Sequence, residues 1–285
     1  MVRAIGKSGA PVSAFFRMMM DNHPETVYEN WTFRCDVHGE FQTIISNGNT
    51  DGVCCPACKA EADQKRQQEA AAREFTENLV KYQGIPEDNS EAVLDKFEVR
   101  TDEGPEVRSA DKDAYDSVKE MTKTFSNKYF KTYSMVRNVT LCGKTGVGKS
   151  FLGCALIRES VLQKKSCFYI RDSVMKSKSM ASYKKGGPES EEFRKTMESY
   201  DLLVIDDVDP KRWADGKSTF LADLIMTRYD AVKQTLILSN RTKEDLYTGF
   251  GGAVESRIRR GLVVTMIGED RRKKQKQQLL LENVG

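Results

Sequence analysis

The residues best equipped for chemistry form one string: Gly143, Lys144, Thr145, Gly146, Val147, Gly148, Lys149 and Ser150, in the pattern G-x-x-x-x-G-K-S. Glycines at these spacings let consecutive backbone N–H groups curl round a phosphate, and a helix that starts there adds positive potential. In such a loop Lys149 reaches the β- and γ-phosphates and Ser150 binds Mg²⁺. ATP or GTP binding is the expectation. A second element supports it: an apolar run at 202–205 ends in the paired carboxylates Asp206 and Asp207. Asp206 stands where a hydrated Mg²⁺ must be held, and Asp207 is the candidate to orient or deprotonate an attacking water. A third run, 236–238, leads to Asn240, whose amide can sense the γ-phosphate or position water, although Asn at a strand end is also a common turn residue. Arg257, Arg259 and Arg260 crowd the segment 254–261. They read either as a solvated helix face or as fingers that reach a neighbouring subunit's nucleotide.

A separate chemistry lies nearer the start. The chain holds seven cysteines, an odd number that suits no disulfide framework. Cys142, Cys154 and Cys167 sit singly in apolar runs and read as buried small hydrophobes. Cys35, Cys54, Cys55 and Cys58 instead cluster with His38. Cys35/His38 and Cys55/Cys58 each leave a two-residue gap, and sixteen residues separate the pairs. That spacing lets four ligands converge on one tetrahedral zinc. Cys54 is the alternative third ligand, but only Cys55 keeps the two-residue gap to Cys58. With four protein ligands no position is left for a reacting water, so the zinc is expected to be structural.

These groups need elements to position them. Short apolar runs at 139–142, 167–170, 202–205, 236–238 and 262–267 alternate with longer helical stretches. Strands without polar alternation suit a parallel sheet covered on both faces, and the repeated strand–helix order predicts an open α/β fold. Residues 59–83 are rich in Ala, Glu, Gln, Lys and Arg, with Glu61/Lys65 and Glu69/Arg73 spaced as helix-supporting pairs. The expected organisation is therefore an N-terminal arm over 1–30, with Phe15 and Met18 or Met19 on one helical face, and a zinc module over 31–60. A connecting helix over 61–85, an ATPase domain over 86–270 and a basic tail over 271–285 complete it.

Charge limits the partners. Across 285 residues, 45 Lys/Arg against 42 Asp/Glu leave only +3, too balanced for a general nucleic-acid coat. Residues 86–120 carry twelve acidic against five basic side chains and should avoid a phosphate backbone. Lys176, Lys178, Tyr183, Lys184 and Lys185 combine cations with an aromatic, a recipe for single-stranded DNA as well as for a solvated helix. The tail at 271–276 is a second non-specific candidate. No apolar run is long enough to span a membrane, and a cytosolic protein without membrane association is expected.

The P-loop at 143–150, the strand ending in Asp206 and Asp207, the strand ending at Asn240 and the 254–261 segment resemble the AAA+ ATPases. In detail they resemble the DnaC-type replicative helicase loaders and their IstB-like relatives, over roughly residues 84–270. The resemblance implies that Asn240 is the sensor-1 residue, Arg257 the arginine finger and Arg271 or Arg272 a second sensor. Only eighteen residues follow Ile267, so no multi-helix lid is expected after the core, as in the loader and IstB branch. One departure stands out: the family usually has Glu where this chain has Asp207, which implies slow hydrolysis used as a switch. A zinc module before the ATPase domain resembles loaders of bacteriophages and prophages. The resemblance implies an ATP-dependent loader that self-associates through its ATPase domain and delivers a replicative ring helicase to single-stranded DNA. Its alternatives are an IstB-like helper of a DNA transposase and a nucleotide-bound adaptor that does not hydrolyse. A small-molecule P-loop kinase is disfavoured, because no arginine-lined lid lies between the second and third core strands.

Overall fold

The computed structural model describes residues 2–11, 13–22, 25–124, 138–184, 188–213 and 219–273. The chain forms two compact units, Met1–Glu74 and Phe75–Gly285.

The first unit is built on a three-stranded antiparallel sheet in the order β1-β2-β3, with β1 at Val2–Lys7, β2 at Tyr28–Cys35 and β3 at Gly39–Ser46. Cys35 pairs with Gly39, so the turn between β2 and β3 is tight and carries His38 beside the cysteine. Phe33 and Phe41 stack across the two strands with ring centroids 5.7 Å apart. The stretch read as an arm thus holds a strand, because β1 joins the sheet through backbone pairing from Val2↔Cys35 to Lys7↔Trp31. Its side chains are mostly exposed, which leaves little apolar signal in the sequence. Helix α1 (Ala14–Asn22) packs Phe16 against Tyr28 at 5.2 Å and leaves Phe15 and Met18 exposed. Helix α2 (Pro56–Gln83) begins at the second cysteine pair, and Leu79 is its one fully buried residue.

The second unit is a three-layer α/β domain. Its five strands, β4 (Asn138–Gly143), β5 (Cys167–Arg171), β6 (Leu202–Asp206), β7 (Gln234–Ser239) and β8 (Leu262–Met266), are all parallel in the order β5-β6-β7-β4-β8. Each expected apolar run is a strand. Alternate residues divide between two cores, as the two-residue period of a strand requires. Leu141, Val204, Leu236 and Leu238 pack with Leu152, Ala155 and Leu156 of α4 (Lys149–Leu162) and with Ala114, Val118 and Met121 of α3 (Pro105–Thr124). Cys142, Leu203, Ile205 and Ile237 face the other way, onto α7 (Phe220–Asp230), α8 (Lys243–Phe250) and α9 (Gly252–Arg259). Helices α5 (Asp172–Lys184) and α6 (Pro188–Ser199) fill the crossover between β5 and β6.

Cys142, Cys154 and Cys167 are buried, and burial pushes their thiols up, to about 11 for Cys142 and about 12 for Cys167. They are inert packing residues, as their apolar surroundings predicted.

Candidate nucleotide site and metal centre

Parallel strands deliver their carboxyl ends to one edge of the sheet, where α/β folds bind ligands. Here that edge collects Gly143 from β4, Asp206 from β6 and Asn240 just past β7. Gly143 has φ +146°, and a Cβ there would collide with the Met266 carbonyl, so the loop can pass β8 only with glycine. A Cβ at Gly146, φ +84°, would collide with the Asp270 carboxylate.

Lys149 opens α4 and is almost fully buried. Its Nζ donates to the carbonyls of Gly143 and Lys144, both at 2.7 Å, and to Asn240 Oδ1 at 2.9 Å. The Asn240 amide in turn donates to Asp207 Oδ1 at 2.7 Å. Ser150 Oγ donates to Asp206 Oδ2 at 3.0 Å, the Tyr169 hydroxyl donates to the same oxygen, and the Asp207 N–H donates to Oδ1 at 2.8 Å. The structure therefore joins Lys149, Ser150, Asp206, Asp207 and Asn240 in one network. Ser150 and Asp206 touch each other, and two oxygen ligands on adjacent elements fit a hydrated Mg²⁺.

Burial lowers the Lys149 amine to about 8, with Asp206 opposing the shift. Phosphate binding needs the charged amine. Below about pH 8 that charge is already present, and above it binding must take up a proton. We expect the dissociation constant of a non-hydrolysable ATP analogue to be nearly flat up to about pH 7.5 and to rise as pH passes 8. The rise approaches tenfold per pH unit, measured by calorimetry with its proton uptake. A flat profile to about pH 9.5 would remove Lys149 as the charged partner of the phosphates.

Arg257 is placed outside this network. Its described hydrogen bonds run to the Ala253 carbonyl at 3.3 Å and to Asp230 at 3.2 and 3.3 Å, near the end of α7. Arg259 pairs with Glu255 at 2.7 Å and lies 3.8 Å over the Tyr247 ring. Arg271, one of two choices for a second sensor, is committed elsewhere: Nε donates to the Val147 carbonyl at 2.9 Å and Nη2 to buried Asp111 at 2.6 Å. It braces the back of the phosphate loop. Arg100 shares Asp111 at 2.7 Å and holds the Ile267 and Glu269 carbonyls, which fixes the segment after β8 against α3.

Of the candidate DNA residues, Lys176 turns onto the loop after β6, donating to the Arg212 carbonyl and lying 5.8 Å from the Trp213 ring. Lys178 is exposed and lies 5.7 Å from the Phe193 ring. The side chains of Tyr183 and Lys184, and Lys185 as a whole, lie outside the described residues, as does the tail beyond Lys273.

In the first unit, Cys35, His38, Cys55 and Cys58 bring their ligand atoms within 4.8 Å of one another. Separations are 3.6 Å between Cys35 and Cys58, 3.7 Å between Cys55 and His38 Nδ1, 3.9 Å between Cys35 and His38 Nδ1, and 3.2 Å between Cys58 and His38 Nδ1. A tetrahedron with Zn–S near 2.3 Å and Zn–N near 2.0 Å has edges of roughly 3.5–3.8 Å. The donor set fits zinc in number, chemistry and size. Backbone N–H groups of His38 and Val37 lower the Cys35 thiol to about 6, so one thiolate is prepared. Cys54 instead donates to the Gly52 carbonyl and takes no part. His38 Nε2 lies 3.0 Å from Glu61 Oε1, a residue the spacing did not reveal. That carboxylate fixes the ring so that Nδ1 faces the sulfurs.

A P-loop at the carboxyl edge of a five-stranded parallel sheet, with an asparagine just past the neighbouring strand and an aspartate pair at the end of the strand beyond it, defines a nucleotide-binding core of the AAA+ class. The family profile described as IstB-like ATP binding protein matches residues 114–278, more than half the chain, and the protein belongs to that family. The replicative helicase loader DnaC of Escherichia coli K12 is 26% identical over 119 residues, 42% of this chain and 49% of DnaC. The chain thus spans about half the length of the curated relatives it matches. Among solved structures, a DNA replication initiation factor superposes with TM-score 0.53 at 25% identity, covering 67% of this chain and 55% of that one. A DnaC helicase loader crystal structure superposes with TM-score 0.50 at 20% identity, covering 64% of this chain and 100% of that one, which shows the shared fold. Among the described residues no helix is long and apolar enough to cross a membrane.

Proposed function

We propose that the protein is an ATP-dependent loader that delivers a replicative ring helicase to single-stranded DNA in phage or prophage replication. The observation that carries this reading is the likeness to a replicative helicase loader over 119 residues, and a phosphate loop whose Ser150 meets Asp206 supports it. Lys149 would leave its loop carbonyls for the β- and γ-phosphates. Ser150 and Asp206 would hold Mg²⁺, which supplies charge neutralisation at the phosphate oxygens. Asp207 would position the attacking water, and Asn240 links it to Lys149. The Asp207 side chain is one methylene shorter than a glutamate, so hydrolysis is slow and works as a timer. Arg257 would exchange Asp230 for a neighbouring subunit's nucleotide when subunits assemble. In the first unit zinc supplies structure. The loader acts in the bacterial cytoplasm, and Lys178 with its basic neighbours contacts the single strand.

The test is to mix the protein with its host's replicative helicase and a non-hydrolysable ATP analogue, then measure the complex mass by light scattering. A complex lost on deleting residues 1–60 is the expected result. Absence of any complex would favour the second reading, a transposase helper, for which the IstB-like family match speaks. Asp207→Asn separates both from a non-hydrolysing adaptor, because only a hydrolase loses turnover.

A further inference from the structure

Asp207 is held by a cation from its own chain. Arg212 lies in the 3-10 turn Pro210–Trp213 that follows β6. Its Nη2 donates to Asp207 Oδ2 at 3.2 Å and its Nη1 to the Asp207 carbonyl at 2.9 Å. The same Nη1 donates to Asp172 Oδ2 at 2.6 Å. Asp172 is fully buried at the start of α5, where it also accepts from Trp213 Nε1 at 2.6 Å and from the Asp209 N–H at 3.2 Å. From the same helix, Lys176 holds the Arg212 carbonyl. The guanidinium is therefore anchored at its back and directed at residue 207. The other carboxylate oxygen of Asp207 is taken by Asn240, and its backbone sits at φ +56°, in the left-handed region that aspartate enters more readily than most non-glycine residues.

A carboxylate that activates water must turn an oxygen towards it. Here Oδ1 accepts from an amide and Oδ2 from a guanidinium, so the carboxylate is pinned in one orientation and the charge-assisted bond opposes its turning towards a water in line with the γ-phosphate. We propose that Arg212, anchored on Asp172, is a positioning residue that restrains Asp207 and acts as a built-in brake on ATP hydrolysis. This rests on the reading of the protein as an ATPase and adds a regulator to its site. The described side-chain hydrogen bonds of Arg212 run to Asp172 and Asp207 and leave the phosphate loop alone, so nucleotide affinity should not depend on it.

The experiment is steady-state ATP turnover with separate binding of a non-hydrolysable analogue. Arg212→Ala is expected to raise kcat about tenfold, equivalent to roughly 1.4 kcal/mol of barrier, with KM and analogue binding within about twofold. Arg212→Lys keeps a cation beside Asp207 and should recover most of the restraint. In an Asp207→Asn background the same Arg212→Ala change should give no gain. Should Arg212→Ala fail to fold because Asp172 is left unpaired, Arg212→Ala/Asp172→Asn removes both charges and carries the measurement. A kcat that stays the same or falls while analogue binding is retained overturns the brake. When the wild type hydrolyses and the variants are no faster, the brake alone is lost. When neither hydrolyses yet both bind, the hydrolase reading falls with it.

Discussion

Lys149→Ala is expected to weaken ATP binding at least about a hundredfold while the zinc content of the protein stays at one ion per chain. The buried amine is the central cation of the site, and truncating one partner of a buried, hydrogen-bonded charge pair costs about 2–5 kcal/mol. Its neighbours make the loss hard to repair. The carbonyls of Gly143 and Lys144 and Asn240 Oδ1 all accept from Nζ, and alanine leaves all three without that donor at the mouth of the loop. Asn240 would also lose the tie that aligns it with Asp207, so hydrolysis should fall further than binding. The sheet beneath should remain, because Lys149 takes no part in its packing. Val139, Leu141, Val204, Leu236 and Leu238 fill that core with Leu152 and Leu156. Calorimetry with an ATP analogue and metal analysis of the same sample check both halves. Near-native affinity would move the phosphate site away from this loop, and joint loss of nucleotide and zinc would show that the two units do not fold separately.

The parallel sheet was legible because each strand is buried on both faces and so appears as an unbroken apolar run, such as 202–205. The P-loop and aspartate pair were legible because phosphate chemistry fixes residue types over a short span. Strand order was not, since adjacency of β4 to β7 and β8 depends on crossovers that leave no local mark. Strand β1 was hidden for a different reason: backbone hydrogen bonds to β2 hold it, and these are indifferent to side-chain type. The restraint on Asp207 escaped because Asp172, Arg212 and Trp213 are distant in sequence from one another or ambiguous in type. A signal did exist for Asp172, an acid directly after an apolar parallel strand, at the edge where ligands bind. Glu61 read as a helix-surface charge paired with Lys65, and only the fold brings it to His38. Arg271 had the converse fate: its basic surroundings suggested an exposed tail, yet Asp111 and the Val147 carbonyl draw it inward.

Removing zinc is expected to unfold residues 2–58 while leaving nucleotide binding intact. Among the described residues of the first unit, the buried hydrophobic residues are Phe33, Cys35, Ile45 and Cys55, and two of these four are cysteines of the Cys/His cluster. A core that small cannot offset the conformational entropy of ordering a three-stranded sheet, and small domains of this kind depend on a metal or disulfides. Structural zinc contributes about 10–16 kcal/mol of binding free energy, all of it available to folding because the unfolded chain has no preformed site. The four side chains also close the unit topologically: Cys35 and His38 lie at the β2–β3 turn, and Cys55 and Cys58 at the start of α2, so an ion held between them would tie the sheet to the helix. Cys55→Ser replaces a buried thiolate with a poor zinc ligand and should release the metal outright. Glu61→Ala should leave the four ligands in place but loosen the His38 ring, weakening zinc affinity about 10–100-fold. Limited proteolysis after chelation, with metal analysis and an ATP-analogue titration on the same sample, reads all three. Cleavage confined to residues before α2, with unchanged nucleotide affinity, is the expected outcome. A zinc-free first unit that resists protease as well as the loaded one would mean that the four side chains converge without supporting the fold.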